Sequence, residues 1–544
     1  MPGWIGILDT RQGIWEVKDC GTFSGFSSFE TRQHVQVWVQ GSFFIEPSTK
    51  ISPAAFLADH FANGSLDVIL PDLNGSFSAI IYSARTDEII LLTDRLGMQP
   101  IFIWEGFHFF GFSTQLQSFL DLKEFRVEID TNALRCFLDQ GQLLGEMTWF
   151  RHVHLLPAAT IAVYAASEKR ITSRKRYWTW GAIQPSKLKF EEAAEELGRL
   201  LKAAVNKREN PEGIEGLLLS GGLDSRAVLA AFSENARVVA ITGGQAGTPD
   251  VRIAEKVSSL KGVPHQWLPL TQKNWFEGRL DAVWTTAGQI SFLHHHFTPH
   301  KDLFASLCSA AWVGFLGDLA IGDRWMLKPD KRISTHTAER RFGKWAAIAN
   351  PSDSFFDIEK EAPFWIDTRG RRFTNIGTAW LENEVPVQKP FLDNDLISFV
   401  FGVPDEYRQY NRLYSAALLH AFPDFFQHIP WQRTRFPIGY NTLTSLSLAL
   451  KIPSVMARAG FVKPFVQYDK WLREDSHAIA ALSDLLNPTR SVYPDYFREN
   501  WLERWLLPHL SGKKNYTEEI CRAATLEYWL RCIFRKEYLL NQDP

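Results

Sequence analysis

The chain has 544 residues, and 59 basic against 61 acidic side chains leave a formal net charge of −2. At roughly 100–200 residues per domain, this length calls for two to four domains, and 45% hydrophobic with 22% charged residues excludes wholesale disorder or a collagen-like repeat. The balanced charge gives no overall electrostatic footprint for nucleic acid or an anionic membrane. No apolar run of about 18 residues predicts a spanning helix, and the opening MPGWIGILDT lacks the basic and apolar regions of a signal peptide. The cysteines Cys20, Cys136, Cys308, Cys521 and Cys532 are scattered and never form CxxC, so neither a disulfide framework nor a cysteine-rich zinc site is expected.

The first 165 or so residues read as β-rich. His34–Gln40 alternates apolar and polar residues with period two, as a half-buried strand does. Ser78–Tyr82 and Ile89–Thr93 flank a turn at Arg85–Asp87 and read as a hairpin inside a sandwich. A further pair follows at Ile101–Trp104 and His108–Gly111, then a short helix at Thr131–Leu138 and a closing strand at Thr160–Tyr164. Ser167–Pro185 is basic, carries Gly and Pro and has no sustained period, so it is read as the domain boundary; the alternative is a long surface loop inside one domain.

An amphipathic helix at Phe190–Val205 precedes a short apolar strand, Gly216–Leu219, the turn Ser220–Ser225 (SGGLDS) and a helix from Arg226 to Ser233. A strand at Val238–Thr242, a helix at Val251–Leu260 and a strand near Gln266–Leu268 continue the alternation, which implies a parallel sheet with helices on its faces. Downstream of about Phe304 the pattern is mainly helical. A glycine-rich turn between a buried strand and a helix suits an anion: Gly221 and Gly222 let the backbone approach it, and N–H groups at the helix start point at it. Ser220 and Ser225 add hydroxyls, and Asp224 offers a carboxylate to a magnesium ion on phosphates. No Lys-Ser/Thr follows the glycines, so this is not Walker A.

SGGLDS is spelled as in the PP-loop of N-type ATP pyrophosphatases, which split ATP to AMP and pyrophosphate. Several further blocks resemble the asparagine synthetase B family, with its β-lactam synthetase and lasso-peptide cyclase relatives. They are Leu73–Pro100 (LNGSFSAIIYSARTDEIILLTDRLGMQP), Gly247–Asp250 (GTPD), Gly314–Asp323 (GFLGDLAIGD) and Pro390–Asp393 (PFLD). The resemblance implies two domains. Residues 1–185 would be a glutaminase-like Ntn-type αββα sandwich, and residues 186–544 an α/β PP-loop ATP pyrophosphatase domain with a helical C-terminal part. It also implies ATP and Mg2+ as cofactors. Ser220, Gly221, Gly222, Asp224, Ser225 and Gly314 would bind nucleotide, Asp224 and Asp318 the metal, and backbone near Leu218 and Ile241 the adenine.

Departures from the family pattern narrow the expected chemistry. Pro2 stands where the family has its nucleophilic cysteine, and proline has no thiol to form an acyl-enzyme. Gln40-Gly41-Ser42 occupies the place of the family's Asn-Gly-Glu strand end, and Cys20 is the nearest thiol. The N-terminal domain is therefore expected to be inactive. Phe315 occupies the position where asparagine synthetase carries glutamate and β-lactam synthetases tyrosine, which points to a different amine. The family's Trp-x-x-Lys segment reads Trp431-Gln432-Arg433-Thr434-Arg435-Phe436. Arg433 or Arg435 would take the lysine's charge but not a proton-transfer role; a surface or salt-bridged arginine pair is the alternative.

Three other features remain open. His294–His296 with His300 are metal ligands, substrate-pocket lining or plain structure. Glu384 is an acidic partner for an amine base or a solvated residue. Arg226 contacts phosphate or anchors the helix start. The resemblance implies an amide-forming ligase in which a substrate carboxylate is adenylated and an amine attacks the acyl carbon, without glutamine hydrolysis. Peptide macrocyclisation and natural-product or saccharide amidation are the substrate classes; asparagine synthesis from free ammonia and a silent ATP-binding scaffold are the alternatives. The partners implied are a carboxylate and an amine acceptor, with no nucleic acid or membrane; a homodimer stays open. Cytoplasmic localisation follows from ATP use and the missing targeting signal.

Overall fold

A computed structural model describes residues 3–11, 14–19, 27–32, 34–44, 51–321, 331–439 and 464–539. Pro2, Cys20 and the Gly322–Asp323 end of the GFLGDLAIGD block lie outside the described residues.

Among the described residues the N-terminal half is built on eleven strands. They are β1 (Trp4–Asp9), β2 (Ile14–Asp19), β3 (Ser27–Arg32), β4 (Val35–Phe43), β5 (Gly75–Ser83) and β6 (Glu88–Thr93), followed by β7 (Phe102–Glu105), β8 (Phe109–Ser113), β9 (Val153–Leu155), β10 (Thr160–Ala165) and β11 (Arg170–Arg176). They form two antiparallel sheets, ordered β2-β1-β8-β7-β9 and β11-β10-β6-β5-β4-β3.

The period-two pattern explains the layering, because successive side chains leave opposite faces of a strand. Val37, Val39, Ala79, Ile81, Ile90 and Leu92 pack outward with Leu57 and Ala58 of the helix Pro53–Ala62. Their neighbours Trp38, Ile80, Ile89 and Leu91 turn inward to meet Ile103, Phe110 and Phe112 of the facing sheet. The outer face of that sheet puts Ile5, Phe102 and Trp104 against a core shared with the helix Thr131–Gln140. The order of layers is therefore helix, sheet, sheet, helix. Each such side chain, once buried, contributes roughly 1.5–3 kcal/mol.

Ser167–Pro185 is not the irregular boundary its composition predicts, since β11 lies within it and pairs with β10. The strand escaped the apolar alternation because its charges are matched across the surface: Arg174 pairs with Glu146, Lys175 with Asp67 and Arg176 with Asp353. Basic side chains on an edge strand also discourage pairing with another chain.

The second half carries a parallel sheet of β12 (Glu215–Leu218), β13 (Val238–Gly244), β14 (His265–Pro269), β15 (Ala310–Val313) and β16 (Val387–Gln388). Their order is β14-β13-β12-β15-β16. Beyond Phe304 the chain is mainly helical as expected, with β15 and β16 as short additions too brief to show a period. The chain moves from β12 toward β14 on one side and later adds β15 and β16 on the other. The carboxyl ends of β12 and β15 thus flank a topological switch point, where open α/β sheets bind ligands.

The two halves meet through motifs that lie far apart in sequence. The Asn394 N–H donates to Asn74 Oδ1 at 2.9 Å, and Asn394 Nδ2 to the Leu73 carbonyl at 2.7 Å. Arg371 donates to the carbonyls of Gly97 at 3.0 Å and Leu156 at 2.6 Å. Among the described residues no helix is long and apolar enough to cross a membrane.

Candidate active site

The Ser220–Ser225 turn joins β12 to a helix that starts at Leu223, three residues earlier than the sequence predicts, with Gly222 at its N-cap. The loop is braced from within. Ser220 N–H donates to Ser225 Oγ at 3.0 Å, the two hydroxyls lie 3.1 Å apart, and Gly222 N–H donates to Ser220 Oγ at 3.2 Å. The two serines thus hold the loop's shape, while the helix that follows directs its first N–H groups outward.

A second bracket holds the loop from the side. Gly221 N–H donates to Asp250 Oδ1 at 3.1 Å. Gln432 N–H donates to the Gly221 carbonyl at 3.1 Å, while its Nε2 reaches Asp250 Oδ2 at 3.0 Å. Through that backbone contact the Trp431–Phe436 segment closes over the loop. Arg226 holds the stretch that leads into this segment, together with the loop, donating to the carbonyls of Phe425 at 3.4 Å, Ile429 at 3.2 Å, Gly221 at 3.2 Å and Pro430 at 2.8 Å. It is fully buried. Burial pushes its guanidinium down to about 10, which leaves it charged near neutrality. A buried cation under an anion-binding turn favours negative charge in the turn. Arg226 therefore anchors the helix start and ties the Gly221 carbonyl of the loop to residues 425–430.

The acidic pair lies beside this turn. Asp224 accepts the Tyr414 hydroxyl at 3.0 Å, and burial, then the neighbouring Asp318 carboxylate, push Asp224 up to about 8. Two carboxylates in mutual repulsion at an anion-binding loop fit a divalent cation with oxygen ligands, whose charge relieves that repulsion. The loop after β15 is pressed against the helix start. A Cβ on Gly314 would lie 2.6 Å from the Ser225 nitrogen, and one on Gly317 2.7 Å from Asp224 Oδ1. Glycine at both positions is what lets Asp318 come this close. Gly314 lies directly against the backbone of Asp224 and Ser225, at the start of the helix.

Other expected residues are placed differently. Leu218 ends β12 half-buried, whereas Ile241 is fully buried and its carbonyl accepts the Leu219 N–H at 2.8 Å. That carbonyl thus takes part in the link between β13 and the residue that follows β12. Phe315 is buried in the core with Trp312, Leu316 and Leu319, so it shapes the loop and does not face an amine. Arg433 is exposed, 5.6 Å from the Trp431 ring centroid. Arg435 adopts a positive φ of 69° and is half-buried near Asp250, with burial lowering its guanidinium. Of the two, Arg435 is the one facing the loop bracket.

The histidines divide. His295 is fully buried and His300 bonds the Pro269 carbonyl at 2.9 Å, while His294 and His296 line a cavity with Leu218. Among the described residues no group of three or more His, Cys, Asp or Glu could hold a metal ion, which removes the metal reading of the His cluster. Burial raises Glu384, whose charged neighbours are Lys301 and Asp302. Sequence reasoning missed Tyr414, Gln432 and Asp250 as site residues. Asp250 and Gln432 sat inside motifs already singled out, but Tyr414 lies on an apolar-periodic helix, Arg412–Ala421, and had no signal of its own.

Comparison with known proteins defines the class first. A glutamine amidotransferase domain matches residues 56–178, and an asparagine synthase domain matches residues 196–302. In that order they make an amidotransferase-type half followed by a synthetase-type half. Both halves are thus similar to domains of the asparagine synthetase family, and the relatives that match are named as asparagine synthetases. A putative glutamine-hydrolyzing asparagine synthetase from Mycobacterium bovis is 26% identical over 223 residues, which are 40% of this chain and 34% of that protein. A second putative glutamine-hydrolyzing asparagine synthetase, from Methanocaldococcus jannaschii, is 28% identical over 166 residues, 30% of this chain and 32% of its own. The matched region thus spans about a third of the length of these relatives. Among solved structures, a glutamine phosphoribosylpyrophosphate amidotransferase from B. subtilis covers 49% of this chain and 59% of its own at 10% identity. Its TM-score of 0.21 is too low to carry a statement about fold.

Proposed function

We propose that the chain is an ATP-dependent carbon–nitrogen ligase that adenylates a substrate carboxylate and passes the acyl group to an amine, giving an amide, AMP and pyrophosphate. The observation that carries this reading is the braced Ser220–Ser225 turn with Asp224 and the Asp318 loop packed against it. The substrate carboxylate attacks the α-phosphorus and pyrophosphate leaves; the amine then attacks the acyl carbon and AMP leaves. The protein supplies placement and charge. Backbone N–H groups at the Leu223–Ala231 helix start and the Arg226 charge favour the phosphates. Asp224 and Asp318 would hold Mg2+, which when bound neutralises phosphate charge; Tyr414 orients Asp224. Arg435 is the better placed of the two arginines to stabilise the departing pyrophosphate.

We place the amidotransferase-like Ntn-type domain at residues 1–185 and the PP-loop ligase domain at residues 186–544. The ligase would work in the cytoplasm without glutamine hydrolysis, a reading supported by Gln40-Gly41-Ser42 at the strand end where the family has Asn-Gly-Glu. The substrates would be those of specialised biosynthesis, with asparagine formation from free ammonia as the second reading, favoured by the names of the relatives. The test is pyrophosphate release from Mg-ATP, with Asp318→Ala as control, using aspartate plus ammonium in one arm and an extract of the source cell in the other. Asp318-dependent release with extract alone supports the specialised ligase. Release with aspartate supports asparagine formation, and silence in both arms refutes the ligase reading in favour of a non-catalytic scaffold. Glutamate release from glutamine would overturn the glutamine-independent part.

A further inference from the structure

At the carboxyl end of β12 lies a cavity of about 320 Å³, at the small end of the roughly 300–1,000 Å³ typical of small-molecule sites. Leu218 is in its wall and is two residues from Ser220, so the cavity opens within about 7.6 Å of chain from the phosphate turn. Gly370, next to the lining residue Arg369, packs on Leu316 of the Asp318 loop; a Cβ there would lie 2.9 Å from Leu316 Cδ2. The cavity therefore lies beside both loops that build the proposed site.

Its lining is asymmetric. Phe297, Phe373, Trp380 and Leu381 make an apolar wall, and the charged or imidazole groups are His294, His296 and Arg369. The guanidinium of Arg369 lies 3.6 Å from the Phe373 ring centroid. The His296 tautomer follows from its partners. Arg279 Nη2 donates to the Tyr468 oxygen at 2.7 Å, and His296 Nδ1 lies 2.9 Å from that oxygen. Arginine has no acceptor, so the buried Tyr468 proton has one use, donation to His296 Nδ1. Burial and the Arg279 charge keep the ring neutral, so its proton sits on Nε2, which has no hydrogen-bond partner among the described residues. No Asp or Glu lines the cavity among the described residues.

We infer that this cavity holds the carboxylate substrate of the proposed ligase, and that it selects a small acid with an aryl or branched apolar body and no free ammonium. The Nε2–H of His296 and the Arg369 guanidinium, both in the lining, are the donors a substrate carboxylate would meet. The aromatic wall covers an apolar body, and an α-amino acid would lose the hydration of its ammonium with no carboxylate to replace it. This inference rests on the ligase reading.

The probes are 3-phenylpropionate, its neutral amide and aspartate, titrated calorimetrically into the full chain with Mg-ATP binding measured in parallel. The expected result is binding of 3-phenylpropionate, at least ten-fold weaker binding of the amide, and no binding of aspartate. Arg369→Gln should weaken 3-phenylpropionate at least ten-fold. Gly377→Leu, which fills the cavity from its wall, should abolish it, with Mg-ATP affinity unchanged in both. Absence of 3-phenylpropionate binding in a chain that binds Mg-ATP overturns the inference and leaves the ligase reading standing. So does binding that survives Gly377→Leu, or equal binding of the amide or of aspartate. Binding of 3-phenylpropionate that Gly377→Leu abolishes, in a chain that does not bind Mg-ATP, upholds the cavity and overturns the ligase reading.

Discussion

Replacing Arg226 by methionine removes a buried cation, takes the guanidinium donor from the carbonyls of Phe425, Ile429 and Pro430, and leaves that of Gly221 with the Gln432 N–H alone. Hydrogen bonds to a charged group contribute roughly 1.5–3 kcal/mol each. Against them stands the cost of burying the charge, seen in the fall of the guanidinium from its ordinary value to about 10, or about 3 kcal/mol at 1.36 kcal/mol per unit. The bonds share one side chain and do not add, so the net loss is about 3–5 kcal/mol, the usual result of breaking a buried charged contact. Arg226→Lys keeps the charge but cannot span carbonyls on two sides of the guanidinium, and should lose about half as much. Urea unfolding gives the energy, and amide exchange gives the location, because Gln432 N–H is bonded to the Gly221 carbonyl that Arg226 also holds. Loss of protection should centre on residues 425–432. A cost under about 1 kcal/mol, or unchanged protection there, would refute the argument that this arginine fastens the segment to the loop.

Gly317→Ala should push the Asp318 loop off Asp224 by about 1 Å, enough to lower Asp318-dependent turnover about a hundred-fold; circular dichroism should show the fold retained. Mg2+ affinity should rise with pH up to about 8, because Asp224 is raised by burial and by Asp318 and must lose its proton to bind a cation; calorimetry in buffers of different ionisation enthalpy should detect that proton. Asp393, buried against Arg208 at 2.8 Å and Lys207 at 2.9 Å, is pushed up by burial but more strongly down by these cations, and ends below its ordinary 3.8. Its contribution is therefore complete above about pH 3.8 and lost as pH falls through its folded value. Asp393→Asn should cost about 3–5 kcal/mol at pH 7, and the gap to wild type in denaturant midpoints should narrow in acid.

Much of the fold was legible wherever the side-chain period was strong. His34–Gln40, the hairpin at Ser78–Thr93 and the helix from Phe190 all appear, with ends shifted by a few residues. β11 was hidden because a polar edge strand has no apolar face to alternate, and β15 and β16 because four and two residues cannot display a period. At the site, SGGLDS and the Asp318 loop could be singled out from local spelling, since glycine and acidic residues in a short turn declare their use. Tyr414 could not, because its role comes from a long-range approach to Asp224 across 190 residues. Arg226 was visible as a residue but not as a fastener, since its carbonyl partners lie some 200 residues downstream.

The seam between the halves has a consequence for what each half can be alone. Arg371 projects from the synthetase side and ends on carbonyls of Gly97 and Leu156, and Asn394 donates from its backbone to Asn74 and from its side chain to the Leu73 carbonyl. Those groups are buried in the whole chain, so separating the halves would expose a closely fitted polar surface together with the apolar cores around it. The amidotransferase-like layer is thus a structural wall of the synthetase. Whatever chemistry it performs or has lost, the synthetase half depends on it for the shape of its own interior.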